Sequence, residues 1–253
     1  MTLFGITGSA RSGTTILRNS LMEDSQIFCF NEAGLFNWTD VITLHDKIAT
    51  HPDNRNKKFD GATLRLLYHE KKLTKSQLVD EIIKHVRQYN YQVEWIGDKY
   101  PDNMLYKMPD IAYQYEGFKF IVMIRDGRDV LASSLRRYKR TVEKSEGIAP
   151  FMSSGYFCKE AQLWELNMST FLRNVALLDN DNILILRHED VVSDLKTTAD
   201  RITKFLRLKK RLDIHCFDKY QKLHIGEWMK DYPNMENYLS SRFKNYLRLF
   251  GYK

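Results

Sequence analysis

Cysteine is scarce in this 253-residue chain: Cys29, Cys158 and Cys216 are odd in number and far apart. They form neither a zinc pattern nor a disulfide framework, which points to a reducing compartment and a cytoplasmic protein. Seven histidines are scattered without metal-ligand spacing, so no metal site is expected. Five prolines make no linker, and no internal repeat or low-complexity tract divides the chain. No apolar run approaches the length of a membrane span. With a glycine loop beginning at Gly8, no leader peptide is expected ahead of it. There is no Gly-x-Ser-x-Gly elbow and no Cys/His nucleophile arrangement. Asn37-Trp-Thr39 and Asn167-Met-Ser169 fit the glycosylation pattern, which means nothing in a cytosolic chain.

One further absence is more informative. Residues 8–15 read Gly-Ser-Ala-Arg-Ser-Gly-Thr-Thr, after a short apolar run at Leu3–Thr7. A nucleotide-binding loop of the form G-x-x-x-x-G-K-[ST] carries a lysine after its second glycine. Here Thr14 holds that place and the cation is Arg11, inside the loop. The glycine turn and helix start still offer backbone N–H groups to an anion, helped by Arg11 and the hydroxyls of Thr14 and Thr15. The moved cation suggests a phosphoryl-like group other than that of ATP.

What is present fits one large α/β domain with a substantial core. Net charge is +7, from 39 Lys and Arg against 32 Asp and Glu, favouring an anionic partner without selecting one. Strand-like runs lie at Leu3–Thr7, Gln92–Ile96, Lys119–Ile124 and Asn182–Leu186. Helical patterns cover Thr14–Glu23, Asp129–Arg140, Tyr156–Leu178 and Thr197–Leu208. Another begins at the capping pair Thr74 and Gln77, with Leu78, Val79, Ile82, Ile83 and Val86 on one face. Alternation of this kind predicts a P-loop-like fold with a central parallel sheet flanked by helices, its ligands beyond the strands' carboxyl ends.

Those ends are polar. After Ile124 come Arg125, then Ser133 two turns into the next helix, with Arg137 four residues further on the same face; all three could meet one phosphate. Small serines could equally serve close helix–sheet packing. Gly97-Asp98-Lys99-Tyr100-Pro101 places a lysine where the sheet points at ligand. Glu32, flanked by apolar and small residues, suits a general base if partly buried, and equally suits a cap or ion pair. The run Arg187-His188-Glu189-Asp190 reads as a salt-bridge network that positions loops.

Taken in order from residue 3 to residue 252, these segments resemble the sulfotransferases that use 3′-phosphoadenosine 5′-phosphosulfate (PAPS). The Gly8–Thr15 loop looks like the family's 5′-phosphosulfate loop. Arg125 with Ser133 matches its 3′-phosphate signature. Leu186–Val192, Phe205–Leu208, Trp228-Met-Lys230 and Leu249–Tyr252 are also similar. The arginine loop and Asp98–Pro101 look closest to the tyrosylprotein type and its bacterial relatives. That resemblance implies Glu32 as base, Arg11 and Lys99 on the bridging and sulfuryl oxygens, and Ser12, Gly13, Thr14 and Thr15 on the 5′-phosphosulfate. It implies Arg125, Ser133 and Arg137 on the 3′-phosphate, PAP as product, and no metal. Departures include His188 in place of a common tyrosine, Leu195 in place of a frequent proline, and a poor match over Tyr220–Trp228.

The alternatives are a P-loop small-molecule kinase, a nucleic-acid-binding module, and a PAPS-binding protein without catalysis. No basic stripe supports nucleic acid. The acceptor, whether phenol, peptide tyrosine, sugar or lipid, is expected to meet insertions at 36–72 and 139–158. These offer His45, His51, Phe59, Tyr68, Tyr138, Phe151 and Tyr156.

Overall fold

The computed structural model describes residues 2–36, 74–89, 92–144, 154–222, 225–233 and 236–252. In chain order it runs β1 (Leu3–Gly8), α1 (Thr14–Leu21), β2 (Ile27–Asn31), α2 (Lys75–Tyr89), β3 (Trp95–Lys99), α3 (Asn103–Gln114) and β4 (Lys119–Ile124). Then follow α4 (Gly127–Lys144), α5 (Ser154–Leu177), β5 (Ile183–Arg187), α6 (His188–Ser193), α7 (Leu195–Leu206), α8 (Glu227–Asp231), α9 (Glu236–Arg242) and α10 (Lys244–Leu249). The five strands form one sheet in the order β2-β3-β1-β4-β5, with every neighbouring pair parallel.

Alternation along the strands divides the core into two layers. Phe28, Phe30, Phe120, Val122 and Ile124 face one side, against Leu78, Ile82 and Val86 of α2, Met104 and Leu105 of α3, and Trp164 and Phe171 of α5. Phe4, Ile6, Ile27, Cys29, Ile121, Met123, Leu184 and Leu186 face the other, against Leu17 and Leu21 of α1 and Ile202 and Leu206 of α7. Strands buried on both faces read as near-continuous apolar runs, as parallel strands do. The sheet is thus the middle of an α/β/α stack.

The connection leaving β1 packs through α1 on one face, while that from β3 to β4 packs through α3 on the other. Chain direction therefore diverges at the carboxyl end of β1, the position where open α/β sheets bind ligands.

Several expected boundaries shift. The second expected strand, Gln92–Ile96, lies at Trp95–Lys99, so Gly97, Asp98 and Lys99 belong to the strand and pair with β1 and β2. The apolar segment at residues 27–30 is itself a strand, fully buried. Helix α3 starts two residues after Pro101 and carries Pro109 in its interior. The capping pair holds: Gln77 Oε1 accepts from Thr74 N at 2.8 Å. Among the described residues, no helix is long and apolar enough to cross a membrane.

Candidate active site

Four loops meet at the sheet's carboxyl edge, and three of their non-glycine residues have left-handed backbone: Arg11 (φ 70°), Glu32 (φ 53°) and Asp102 (φ 55°). Side chains rarely tolerate that region, and such strain gathers where geometry is over-determined.

The loop after β1 turns at two glycines. Gly8 has φ 135°, and a Cβ there would fall 2.1 Å from the Met123 carbonyl oxygen of β4. Gly13, the N-cap of α1, has φ 89°, and a Cβ there would meet His188 Nδ1 at 2.5 Å. Only glycine fits either position. Ser12 N donates to Ser9 O at 3.2 Å, while Ser12 Oγ is buried without a hydrogen-bond partner among the described residues. Ala10 N donates to the Asp102 carboxylate at 2.9 Å, and Asn167 Nδ2 donates to Asp102 at 2.7 Å and to Ser9 Oγ at 3.2 Å. This brace ties the loop to the start of α3 and to α5. Asn167 is fully buried, so its sequon presents no accessible acceptor.

The loop is joined to β4 and α4 by two contacts. Arg125 Nη1 donates to Arg11 O at 3.1 Å, and Arg11 Nε donates to Ser133 Oγ at 3.0 Å. Together Arg11, Gly13, Thr14, Thr15, Arg125 and Ser133 line a cavity of about 460 Å³, completed by Ile16, Arg136, Arg140, His188 and Glu227. Burial, followed by the charges of Arg137, Arg125, Arg140 and Arg136, holds the Arg11 guanidinium below its ordinary pKa. A bound anion would relieve that crowding. Arg125 Nε is buried with no partner among the described residues, a donor that such an anion could satisfy. Arg137 does not line the cavity and is exposed on α4.

The i+4 spacing from Ser133 points to Arg137, whereas the cavity face of α4 runs i, i+3, i+7 and presents Arg136 and Arg140. Arg136 is already engaged, by Glu227 at 2.6 Å and Asp231 at 2.5 Å. The segment bearing Glu227 is held to α4 by Asp129, which accepts from Gly226 N at 2.8 Å and Trp228 N at 3.2 Å.

His188, 2% exposed, packs against Gly13 at the cavity wall. Burial, then the neighbouring Arg125 charge, pushes its pKa down to about 3, so it is neutral at physiological pH. Beyond it the expected network is present. Glu189 accepts from Asp126 N at 3.0 Å and from Tyr252 OH at 2.9 Å, and Arg187 lies 4.5 Å from the centre of the Tyr252 ring. The C-terminal segment is thereby tied to the edge of β5.

Glu32 and Lys99 stand further along the same edge, outside the cavity lining. Lys99 is 1% exposed and its Nζ lies 2.6 Å from Glu32 Oε1, whose side chain is 44% exposed. The ion-pair reading of Glu32 is therefore realised, and the pair presents its carboxylate outward. Of the expected acceptor-facing residues, His45, His51, Phe59, Tyr68 and Phe151 lie outside the described residues. Tyr138 and Tyr156 stack with ring centres 4.2 Å apart, joining α4 to α5.

A sulfotransferase family model matches residues 4–211. Among solved structures, the Mycobacterium avium sulfotransferase STF9 superposes with a TM-score of 0.62 at 12% identity, covering 100% of this chain and 77% of that one. The sulfotransferase domain from the curacin biosynthetic pathway gives 0.58 at 15% identity, covering 100% and 98%. Mouse sulfotransferase SULT7A1, solved with PAP, gives 0.54 at 12% identity, covering 98% and 85%. No curated protein sequence matches. The family match spans the arginine loop, Glu32, Lys99, Arg125, Ser133 and the β5 edge, and with it the chain belongs to the sulfotransferase family.

Proposed function

We propose that the arginine-lined cavity binds PAPS and that the chain transfers its sulfuryl group to a hydroxyl or amine of an acceptor, releasing PAP. The carrying observation is the pair of contacts, Arg125 to Arg11 and Arg11 to Ser133, that make the loops after β1 and β4 into one anion site. The buried, unpartnered Ser12 Oγ and Arg125 Nε fit an anionic ligand with several acceptor oxygens. The mouse neighbour with PAP bound is consistent with the same fold holding this nucleotide.

In this reading Ser12, Gly13, Thr14 and Thr15 hold the 5′-phosphosulfate. Arg125 and Ser133 hold the 3′-phosphate, with Arg140 rather than Arg137 beside them. The acceptor oxygen or nitrogen attacks sulfur in line, the S–O bond to the phosphate breaks, and Glu32 takes the acceptor's proton. Lys99, paired with Glu32 in the free enzyme, turns to the sulfuryl oxygens once Glu32 engages the acceptor. A sulfuryl group carries less negative charge than a phosphoryl group, so fixed cations suffice to stabilise its transfer. The chain acts as one unit, residues 1–253, with segments 36–72 and 139–158 facing the acceptor. Its free cysteines suit a reducing, cytoplasmic setting.

The test is incubation with ³⁵S-labelled PAPS and a panel of phenol, tyrosine-peptide, sugar and lipid acceptors. PAP formation with a labelled product is expected from one class. A folded protein that binds PAP but labels nothing in any class would support the non-catalytic alternative.

A further inference from the structure

We propose that Asp98 is a positioning residue for the base: it fixes the turn at residues 32–35 and so sets where Glu32 stands. The inference rests on Glu32 acting as the base, and the experiment below separates the two.

Asp98 lies in β3 and is fully buried. Its Oδ1 accepts from Ala33 N at 3.2 Å and its Oδ2 from Leu35 N at 2.9 Å. Burial pushes the carboxyl up to about 6, while the amides of Leu35, Ala33 and Gly34, then the Lys99 charge, act in the opposite direction. A carboxylate in this position is costly to bury, and an apolar side chain would fill the space without that cost. What the carboxylate adds is acceptor capacity: two oxygens for the successive N–H groups of a turn that has no ladder to pair with.

That turn needs holding. Glu32 has φ 53° and Gly34 φ 73°, two left-handed residues within three positions. The chain leaves β2 here, and Glu32 N makes its last sheet contact by donating to Lys99 O at 2.7 Å. Consecutive residues of β3 therefore hold the turn that follows β2. Lys99 holds Glu32 by both its backbone amide and its carboxylate, and Asp98 holds the peptide groups that follow. Without Asp98, the amides of residues 33 and 35 are left buried and unpaired, and the turn relaxes from the strained conformation. The Glu32 carboxylate then loses its fixed position, while the cavity between β1 and β4 keeps every contact described above.

The test compares Asp98→Asn, Glu32→Gln and the double variant with the wild type, all confirmed folded by thermal melting. Hydrogen exchange is followed across residues 30–36 and 9–17, PAP affinity by titration, and release of ³⁵S-sulfate from PAPS to water as an acceptor-free turnover. For Asp98→Asn the expectation is faster exchange at 33–35 only, PAP affinity within about twofold of wild type, and sulfate release about 10–100-fold slower. In the Glu32→Gln background, Asp98→Asn should add nothing, because it acts through a group already removed. Unchanged exchange at 33–35, or an equal further loss in the double variant, overturns the proposal. Normal sulfate release by Glu32→Gln overturns the base assignment instead. If Asp98→Asn does not fold, Gly34→Ala strains the same turn with Asp98 in place. Slowed release with intact PAP binding is expected, and wild-type release overturns the proposal.

Discussion

The two halves of the sheet's carboxyl edge handle charge in opposite ways. On the β1–β4 side, Arg11, Arg125 and Arg140 surround an open cavity, and burial, then the charges of neighbouring arginines, already depresses the Arg11 pKa. On the β2–β3 side, Lys99 is buried and its charge is met at 2.6 Å by Glu32. The first half is preformed to receive an anion. The second is self-compensated, and in the proposed mechanism substrate separates this ion pair before either group acts. Cofactor binding should thus be insensitive to changes in the second half, and turnover sensitive to both.

The largest expected effect breaks the second half alone. Glu32→Gln should lower sulfuryl transfer by about 10²–10⁴-fold, the usual contribution of a general base, with PAP affinity within about twofold by calorimetry. Arg125→Ala comes next. It removes a buried donor and the bridge to Arg11 O, and PAP affinity should fall by roughly 10–150-fold, as for loss of a hydrogen bond to a charged group. Arg140→Ala should weaken PAP by about tenfold and Arg137→Ala by no more than about threefold, since only the former lines the cavity. Equal losses would return Arg137 to the site.

His188 sharpens the comparison through pH. Its folded pKa lies below its ordinary value, so the neutral imidazole's contribution is fully present above about pH 6.5 and is lost as pH falls toward 3. Asp98 acts in the opposite sense below about pH 6, but cancels in a difference between variants. Unfolding free energy of wild type relative to His188→Asn should therefore decline by about 1.4 kcal/mol per pH unit between pH 6 and 4. A flat difference would show that His188 is protonated in the fold. The smallest effect is at Glu227, the one carboxylate in the cavity lining. Glu227→Gln should tighten PAP binding by about threefold, by removing a like charge facing the anion.

The halves also differ in how much of them could be read from sequence. The phosphate side is carried mainly by contiguous residues, a glycine turn, one arginine and a helix start, so the loop after β1 is legible directly. The Arg125–Ser133 pair reads equally as helix–sheet packing and is singled out only by family resemblance. The base side joins residues 67 positions apart. β2 shows no period-2 pattern, because all five of its residues are buried. β3 ends in Gly97-Asp98-Lys99, which reads as a loop; its polar residues are tolerated inside because their partners lie in the turn after β2. Glu32 was raised above an ordinary ion-pair residue only by family resemblance. Arg136 and Arg140 were hidden by one step of helical phase. The segments expected to face the acceptor fall largely outside the described residues, and their aromatic and basic composition fits several chemistries.

The central claim is that the β1–β4 cavity is a PAP site, and calorimetric titration of the folded chain with PAP, beside ATP at equal salt without magnesium, tests it most directly. The account predicts micromolar or tighter PAP binding, much weaker ATP binding, and PAP binding weakened roughly 10–150-fold in Arg125→Ala. Tighter binding of ATP than PAP, or no PAP binding at all, would contradict it.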